Sequence, residues 1–325
     1  MAGIARHDAS SIAAAPEPII TCIWQGPARL GECPLWDARQ DRLFWIDSLA
    51  RRIWSARADG RDARFWTVPD VIGSIGLCDD ARLIAGFRRG FGLVDLGPDG
   101  VAEVDWIGDP DPDQQDTRLN DGKVDRQGRF WCGSMNQDFS APNAALYRLE
   151  SDLGWSKIDD GFTVSNGIAF SPDDRTLYFS DSRKDRSYRY DLDPITGAIS
   201  ARRPFIDTSV YDGRIDGATV DSQGHYWGAL FEGNAVAQFS PEGALLRRIP
   251  VPTRCPTMCS FGGPELDVLF VTSATFLLSD ADRAQDRMAG GLFAIEGLGV
   301  RGLEEPRFKT PAPHMRRDEP GRKPD

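Results

Sequence analysis

No stretch of this sequence is long and apolar enough to cross a bilayer; no hydrophobic run approaches the roughly 18 residues that a spanning helix needs. Histidine is scarce, with three in 325 residues, and His7 and His314 fall in the terminal stretches. Ser-His-Asp hydrolysis and a His-built zinc centre both require imidazole, so both are disfavoured. His225, in a turn leading into a strand, reads as a solvated or hydrogen-bonded side chain. The six cysteines, Cys22, Cys33, Cys78, Cys132, Cys255 and Cys259, include no C-x-x-C pair and show no framework spacing. Reduced, buried or half-buried thiols are expected. Positive charge is also short, 38 Lys and Arg against 49 Asp and Glu, for a net charge of −11. That balance argues against nucleic acid, whose phosphates demand clustered cations.

Amphipathic stretches of period 3.6 are missing as well, which excludes a helical solenoid. In their place stand 33 Gly, 22 Pro and nine Trp, a composition suited to many short strands joined by turns. A turn followed by a short aromatic or β-branched strand recurs six times. Aligned on Trp45, Ile84, Trp131, Tyr178, Trp227 and Phe270, the repeats are spaced by 39, 47, 47, 49 and 43 residues. This is the period of a β-propeller blade, about 40–50 residues, and six lies within the usual range of blade numbers. An all-β, six-bladed β-propeller over residues 19–308 is therefore predicted, as one domain. Ile19 to Trp24 is expected to pair with the last blade, since an unpaired terminal strand would expose an edge. The Ala/Ser-rich start, residues 1–18, has no basic n-region or continuous apolar core and reads as a disordered leader. Residues 309–325, Pro-rich with mixed charges, read as a disordered polar tail. Cytoplasmic location is the default that follows.

Within the repeat, one position carries oxygen. Counting five residues back from each turn-forming Asp or Ser gives Glu32, Ser74, Asn120, Asn166, Asp216 and Cys259. Asn and Asp cap turns in any β-protein, which accounts for one such residue but poorly for four in register. In a propeller the innermost strands line a central channel, so a constant position in the repeat lies at one height around one axis. A shared site in the channel is expected, and it is expected to hold a metal. Oxygen-only donors suit hard cations such as Ca²⁺, Mg²⁺ or Mn²⁺. Glu32 and Asp216 would balance the charge, and the amide oxygens of Asn120 and Asn166 could complete the protein's share.

Leu30-Gly31-Glu32-Cys33-Pro34-Leu35-Trp36, Arg118 to Asp125 (RLNDGKVD), Ser165 to Asp173 (SNGIAFSPD), Asp216 to Asp221 (DGATVD) and Phe261-Gly262-Gly263-Pro264 resemble the regucalcin (SMP-30)/gluconolactonase family. The likeness runs from about Ile19 to Val300. It implies a metal-dependent sugar lactonase that opens a glucono-, xylono-, arabinono- or galactonolactone. Glu32, Asn166 and Asp216 would then be metal ligands, with Arg118 and Asn120 on the substrate. Ca²⁺ is the first expectation for the ion, with Zn²⁺, Mn²⁺, Mg²⁺ or Fe²⁺ as alternatives. Cys33 stands where that family often has Gly, and Thr257 to Ser260 departs from its usual approach to Phe-Gly-Gly. Both departures bear on the pocket wall and hence on substrate choice.

For the chemistry, Asp216 is expected to orient or deprotonate the attacking water. Ligation lowers a carboxylate's basicity, so water activated on the ion is an equal alternative. Asp138 is expected to bind a further hydroxyl, or else to be an ordinary exposed loop Asp. The acidic segment Asp105 to Asp116 lacks the Gly and final Glu of an EF-hand and reads as a solvated lid beside the channel mouth. Two other readings stay open: hydrolysis of an organophosphate or other ester at the same site, and a non-catalytic calcium-binding or docking module.

Overall fold

The computed structural model describes residues 17–311. Their strands form five four-stranded sheets and one of five strands. Each sheet is an antiparallel meander, and together they make the six blades of a β-propeller. The innermost strands, one per blade, are Gly31–Asp37, Ile72–Cys78, Thr117–Val124, Ser165–Phe170, Arg214–Val220 and Pro256–Gly262. Ile19–Trp24 pairs antiparallel with Leu292–Glu296 and forms the outer strand of the sixth blade, so the first and last parts of the fold share one sheet.

The residue on which the repeat aligns is a core residue in every blade. Trp45, Ile84, Trp131, Tyr178, Trp227 and Phe270 are all at most 2% exposed. Burying an aromatic of this kind removes about 150–250 Å² from water. At roughly 25 cal/mol per Å² that is about 4–6 kcal/mol of transfer free energy each.

The turn-forming acid five residues beyond the site position locks the inner hairpin. Asp125 accepts from the backbone of Gln127 and Arg129, from Arg129 Nε and from Trp131 Nε1. Asp221 repeats the device with Gln223, His225, Trp227 Nε1 and Gln238 Nε2. His225 is thus a hydrogen-bonded turn residue, with Nδ1 3.1 Å from Asp221. At the other end of the hairpin, Asp47 accepts from the backbone N–H groups of Arg29 and Leu30, and Asp181 does the same for Thr163 and Val164. Carboxylates of the same blade thus pin the far end of the inner hairpin in the third and fifth blades and its near end in the first and fourth.

Beyond the sixth blade the chain crosses the far end of the channel. Glu305 reaches Ser260 Oγ at 3.0 Å and Lys123 Nζ at 3.5 Å, and Arg307 pairs with buried Asp37. Arg307–Phe308 then adds to Ile72–Cys78 as a parallel fifth strand, with Phe308 fully buried. Order continues past the expected boundary at 308: Lys309 N donates to Gly128, and Thr310 is held by Asp79. The rest of the expected tail, and residues 1–16 of the expected leader, lie outside the described residues. All six cysteines are unpaired. No helix of the described residues is long and apolar enough to cross a membrane.

Candidate active site

A cavity of about 350 Å³ opens where the innermost strands begin. Glu32, Arg118, Asn120, Asn166 and Asp216 all line it, from the first, third, fourth and fifth blades. Each is the second to fourth residue of its strand, which places them at one height. A β-bulge sits at this height in every inner strand, at 33–34, 73, 120–121, 167–168, 216–217 and 257–258. Bulges bend a strand and re-aim its side chains. In the fourth blade the bulge needs Gly167, whose φ is +61° and where a Cβ would come within 2.5 Å of the Tyr226 hydroxyl. In the first blade Cys33 adopts the same left-handed conformation, φ +53°, without being glycine. Its thiol accepts from Ile75 N and donates to Ile75 O on the next blade, which holds the strained residue in place.

Hydrogen bonds tie the third, fourth and fifth blades into a continuous arc. Arg118 Nη1 donates to Asn120 Oδ1 at 2.9 Å, and Asn120 Nδ2 donates to Asn166 Oδ1 at 2.8 Å. Asn166 Nδ2 donates to Ser182 Oγ, which in turn donates to the carbonyl of Ile215, beside Asp216. These partners orient both amides. Each amide oxygen accepts one of these bonds, Asn120 Oδ1 from Arg118 and Asn166 Oδ1 from Asn120, and each keeps a second lone pair.

The electrostatics are those of a site short of positive charge at its floor. Burial, followed by repulsion from Asp216 and Asp121, raises Glu32 well above the usual carboxylate range. Burial and Asp121 raise Asp216 in the same way, with Arg118 opposing. Burial pushes Asp121 up to about 6, and pulls Arg118 down to about 10 while Glu32 acts in the opposite sense. The carboxylates of Glu32 and Asp216 keep a face toward the cavity but are enclosed by protein elsewhere, and no side-chain donor of the described residues reaches either. Two carboxylates and one carboxamide oxygen fit a hard divalent cation. Among the described residues no group of three or more His, Cys, Asp or Glu side chains is placed to hold a metal ion, so the carboxylates on offer are two and the third donor is an amide.

Some expected residues lie elsewhere. Asp138 is exposed and does not line the cavity, although its neighbours Gln137 and Phe139 do. Cys259 sits one residue past the bulge of the sixth blade, in the hydrophobic core, with its thiol donating to Trp227 O. Ser74 contacts Cys132 Sγ instead of the cavity. The segment Asp105 to Asp116 is not a free lid: Asp111 is bound by Lys157 and the Tyr147 hydroxyl, and Asp116 by Asn136 and Asn143.

The residues missed from sequence belong to a second ring. The loop between the second and third strands of every blade sends a side chain to the cavity: Leu49, Arg88, Phe139, Arg183, Glu232 and Phe276. Ser182 and Arg214 join them. Most of these loop residues follow the aligned core residue by four to six positions (49 − 45, 88 − 84, 183 − 178, 232 − 227, 276 − 270). That periodic spacing is the signal that could have found them.

A family model described as the SMP-30/gluconolactonase/LRE-like region matches residues 30–275. The chain belongs to this family. Similar proteins include a 6-deoxy-6-sulfogluconolactonase from Pseudomonas putida, 37% identical over 89% of this chain and 98% of the relative. A pentonolactonase from Haloferax volcanii is 33% identical over 90% of this chain and 98% of its own length. Among solved structures, a calcium-binding protein, regucalcin, from Agrobacterium tumefaciens superposes with a TM-score of 0.83 at 28% identity, covering 88% of this chain and 96% of that one. In this SMP-30/gluconolactonase member the matched region contains all five converging cavity residues, from Glu32 to Asp216.

Proposed function

We propose that the chain is a sugar lactonase that works with one divalent cation. The observation that carries this reading is the meeting of Glu32, Asn166 and Asp216 from three blades beside Arg118 and Asn120, in a family whose similar members are lactonases. Glu32, Asn166 Oδ1 and Asp216 would hold the cation. Ca²⁺ suits the all-oxygen donor set best, and the calcium-binding regucalcin neighbour supports it; Zn²⁺, Mn²⁺, Mg²⁺ and Fe²⁺ are its competitors. When bound, the cation supplies Lewis acidity to the lactone carbonyl and charge compensation for the oxyanion.

The chain's own residues do the rest. Arg118, fixed by Leu119 O and Asn120 Oδ1 at 2.9 Å each, presents a guanidinium whose remaining N–H groups face the carbonyl and ring hydroxyls. Asn120, held between Arg118 and Asn166, positions the sugar. Asp216 orients the attacking water and takes its proton; the acyl C–O bond of the ring then breaks, and the proton passes to the leaving alkoxide to give the aldonic acid. The apolar wall of Leu30, Met135, Val164 and Phe231 excludes bulk water around that step. The substrate is a small aldonolactone, with no nucleic acid or membrane partner.

Lactone opening followed by pH-stat, after chelation and cation re-addition, tests the assignment. Wild type is expected to regain activity, and Asp216→Ala and Asn166→Ala to remain at least about 100-fold slower. Variants that match wild type with cation present would refute it. The calcium-binding description of the structural neighbour favours one rival, a non-catalytic binder. Cation uptake without turnover of any aldonolactone would establish that instead.

A further inference from the structure

Four arginines from four consecutive blades line one cavity: Arg88, Arg118, Arg183 and Arg214. The carboxylates on the same wall are Glu32, Asp216 and Glu232. A divalent cation on Glu32 and Asp216 offsets those two, which leaves Glu232 alone against four guanidinium groups. None of the four guanidinium groups donates a hydrogen bond to a carboxylate of the described residues. Arg118 is spent on neutral acceptors, Leu119 O and Asn120 Oδ1. Arg183 lies over the Phe139 ring at 4.9 Å and, like Arg88, forms no salt bridge among the described residues. Arg214 stands 3.7 Å from Glu232 and 3.8 Å from Asp185, both too long for hydrogen bonds, and its buried Nε has no acceptor. Arg88 is close enough to Arg118 for its charge to bear on it.

The hydroxyls of a neutral sugar need donors and acceptors but no fixed charge, and Asn120, Gln137 and Arg118 already supply those. The carboxylate made on ring opening accounts for one arginine near the reacting carbonyl. It leaves Arg88 and Arg183, exposed at the rim with no salt bridge among the described residues, and Arg214, held only by long ion pairs to Glu232 and Asp185. Guanidinium forks match the oxygens of sulfonate, phosphate and carboxylate. Resting on the lactonase reading, we propose that the lactone received here carries such an anionic group at the end remote from the ring carbonyl, and that Arg88, Arg183 and Arg214 select it.

The test is a panel of gluconolactone and its 6-phospho, 6-sulfo and 6-carboxyl counterparts, assayed with the cation-loaded protein at two salt concentrations. At low salt the best anionic lactone is expected to exceed the neutral one in kcat/KM by at least about tenfold, with the gap narrowing in high salt. The relative rates of the three anionic arms identify the acidic group. Arg88→Gln, Arg183→Gln and Arg214→Gln are each expected to lower the anionic-to-neutral ratio by on the order of tenfold, chiefly through KM. A neutral lactone opened equally well, or an unchanged ratio in all three variants, would overturn the proposal and leave the lactonase reading standing. If no lactone is opened at all, the lactonase reading falls, and calorimetry with 6-phosphogluconate against gluconate decides the arginines separately. Tighter binding of the phosphate compound, lost in the Arg88→Gln/Arg183→Gln double variant, supports them; equal binding sinks them.

Discussion

Replacing Asp216 by Asn is expected to make the cation-free protein more stable while it abolishes cation uptake. The carboxylate is enclosed beside Glu32 and Asp121, and both its burial and Asp121 push its protonation upward. Two like charges on the order of 5–10 Å apart, at an effective dielectric of about 20, repel by roughly 2–3 kcal/mol. Arg118 attracts the same carboxylate, and cavity water screens it, so the net cost of the ionised form is about 1–3 kcal/mol. For a large domain, about 2–4 °C accompanies each kcal/mol, which predicts a rise in Tm of roughly 2–12 °C for the variant in chelator. The pH dependence fixes the sign. A carboxyl whose folded pKa lies above its unfolded value stabilises the fold fully below the ordinary carboxylate range, near pH 4, and loses that contribution as pH rises through the folded value. The variant's advantage should therefore be small near pH 4.5 and full at pH 8. Adding Ca²⁺ to about 100 times its Kd should raise wild type by about 2.7 kcal/mol and leave the variant unmoved. Scanning fluorimetry in chelator and in Ca²⁺ at three pH values reads all of this. A variant that melts at or below wild type in chelator at pH 8 would show that the floor of the cavity is not under charge strain.

Three further outcomes follow from the fold. Asp125→Ala leaves buried Arg129 unpaired and strips Trp131 Nε1 of its acceptor, so a loss of about 3–5 kcal/mol is expected in urea unfolding; less than about 1 kcal/mol would contradict the pinning role of the turn acid. Gly167→Ala forces a Cβ within 2.7 Å of both the Tyr226 and Ser180 hydroxyls at a positive φ, and should cost at least about 2 kcal/mol together with most of the activity, which paired melting and rate measurements would show. Removing residues up to Trp24 bares the edge of Leu292–Glu296 and the packing of Ile20 and Cys22 on the sixth blade, and light scattering is expected to show aggregation below the wild-type melting temperature.

The fold was legible because the repeat writes its core residue at nearly even spacing. Trp45, Trp131 and Trp227 mark it openly, and Ile84 occupies the same buried place without an aromatic. The site was legible through its turn acids. Because Asp125 and Asp221 pin their hairpins in the same way, counting back from them lands at one height around the axis. The count failed where the bulge falls differently: in the sixth blade it reached Cys259, while the bulge lies at 257–258, where Thr257 donates to Gly31 O. Asp138 lay outside that count; its neighbours Gln137 and Phe139 line the cavity and it does not, since a loop residue's direction depends on turn geometry that spacing does not encode. Of the arginine wall, Arg118 was legible from its motif; Arg88 and Arg183 lie on second-to-third-strand loops, four and five residues beyond Ile84 and Tyr178, and Arg214 opens the fifth inner strand, positions that counting back from the turn acids does not reach.

The two blades that offer the cavity no oxygen at the bulge, the second and sixth, flank the first. Glu32 therefore faces the arc of Arg118, Asn120, Asn166 and Asp216 across the channel, alone on its side. That arc is internally bonded from Arg118 through Ser182 to Ile215, and it would keep its shape without any ligand. Glu32 has no side-chain donor joining it to the arc among the described residues, and its carboxylate meets there two others of like sign. A buried arrangement of that kind persists only if something outside the chain supplies the missing charge or a proton does. On the proposed reading, a cation held by Glu32 on one side and by Asn166 and Asp216 on the other would close the floor, and its removal should loosen the first blade's hold on the site before it disturbs the arc.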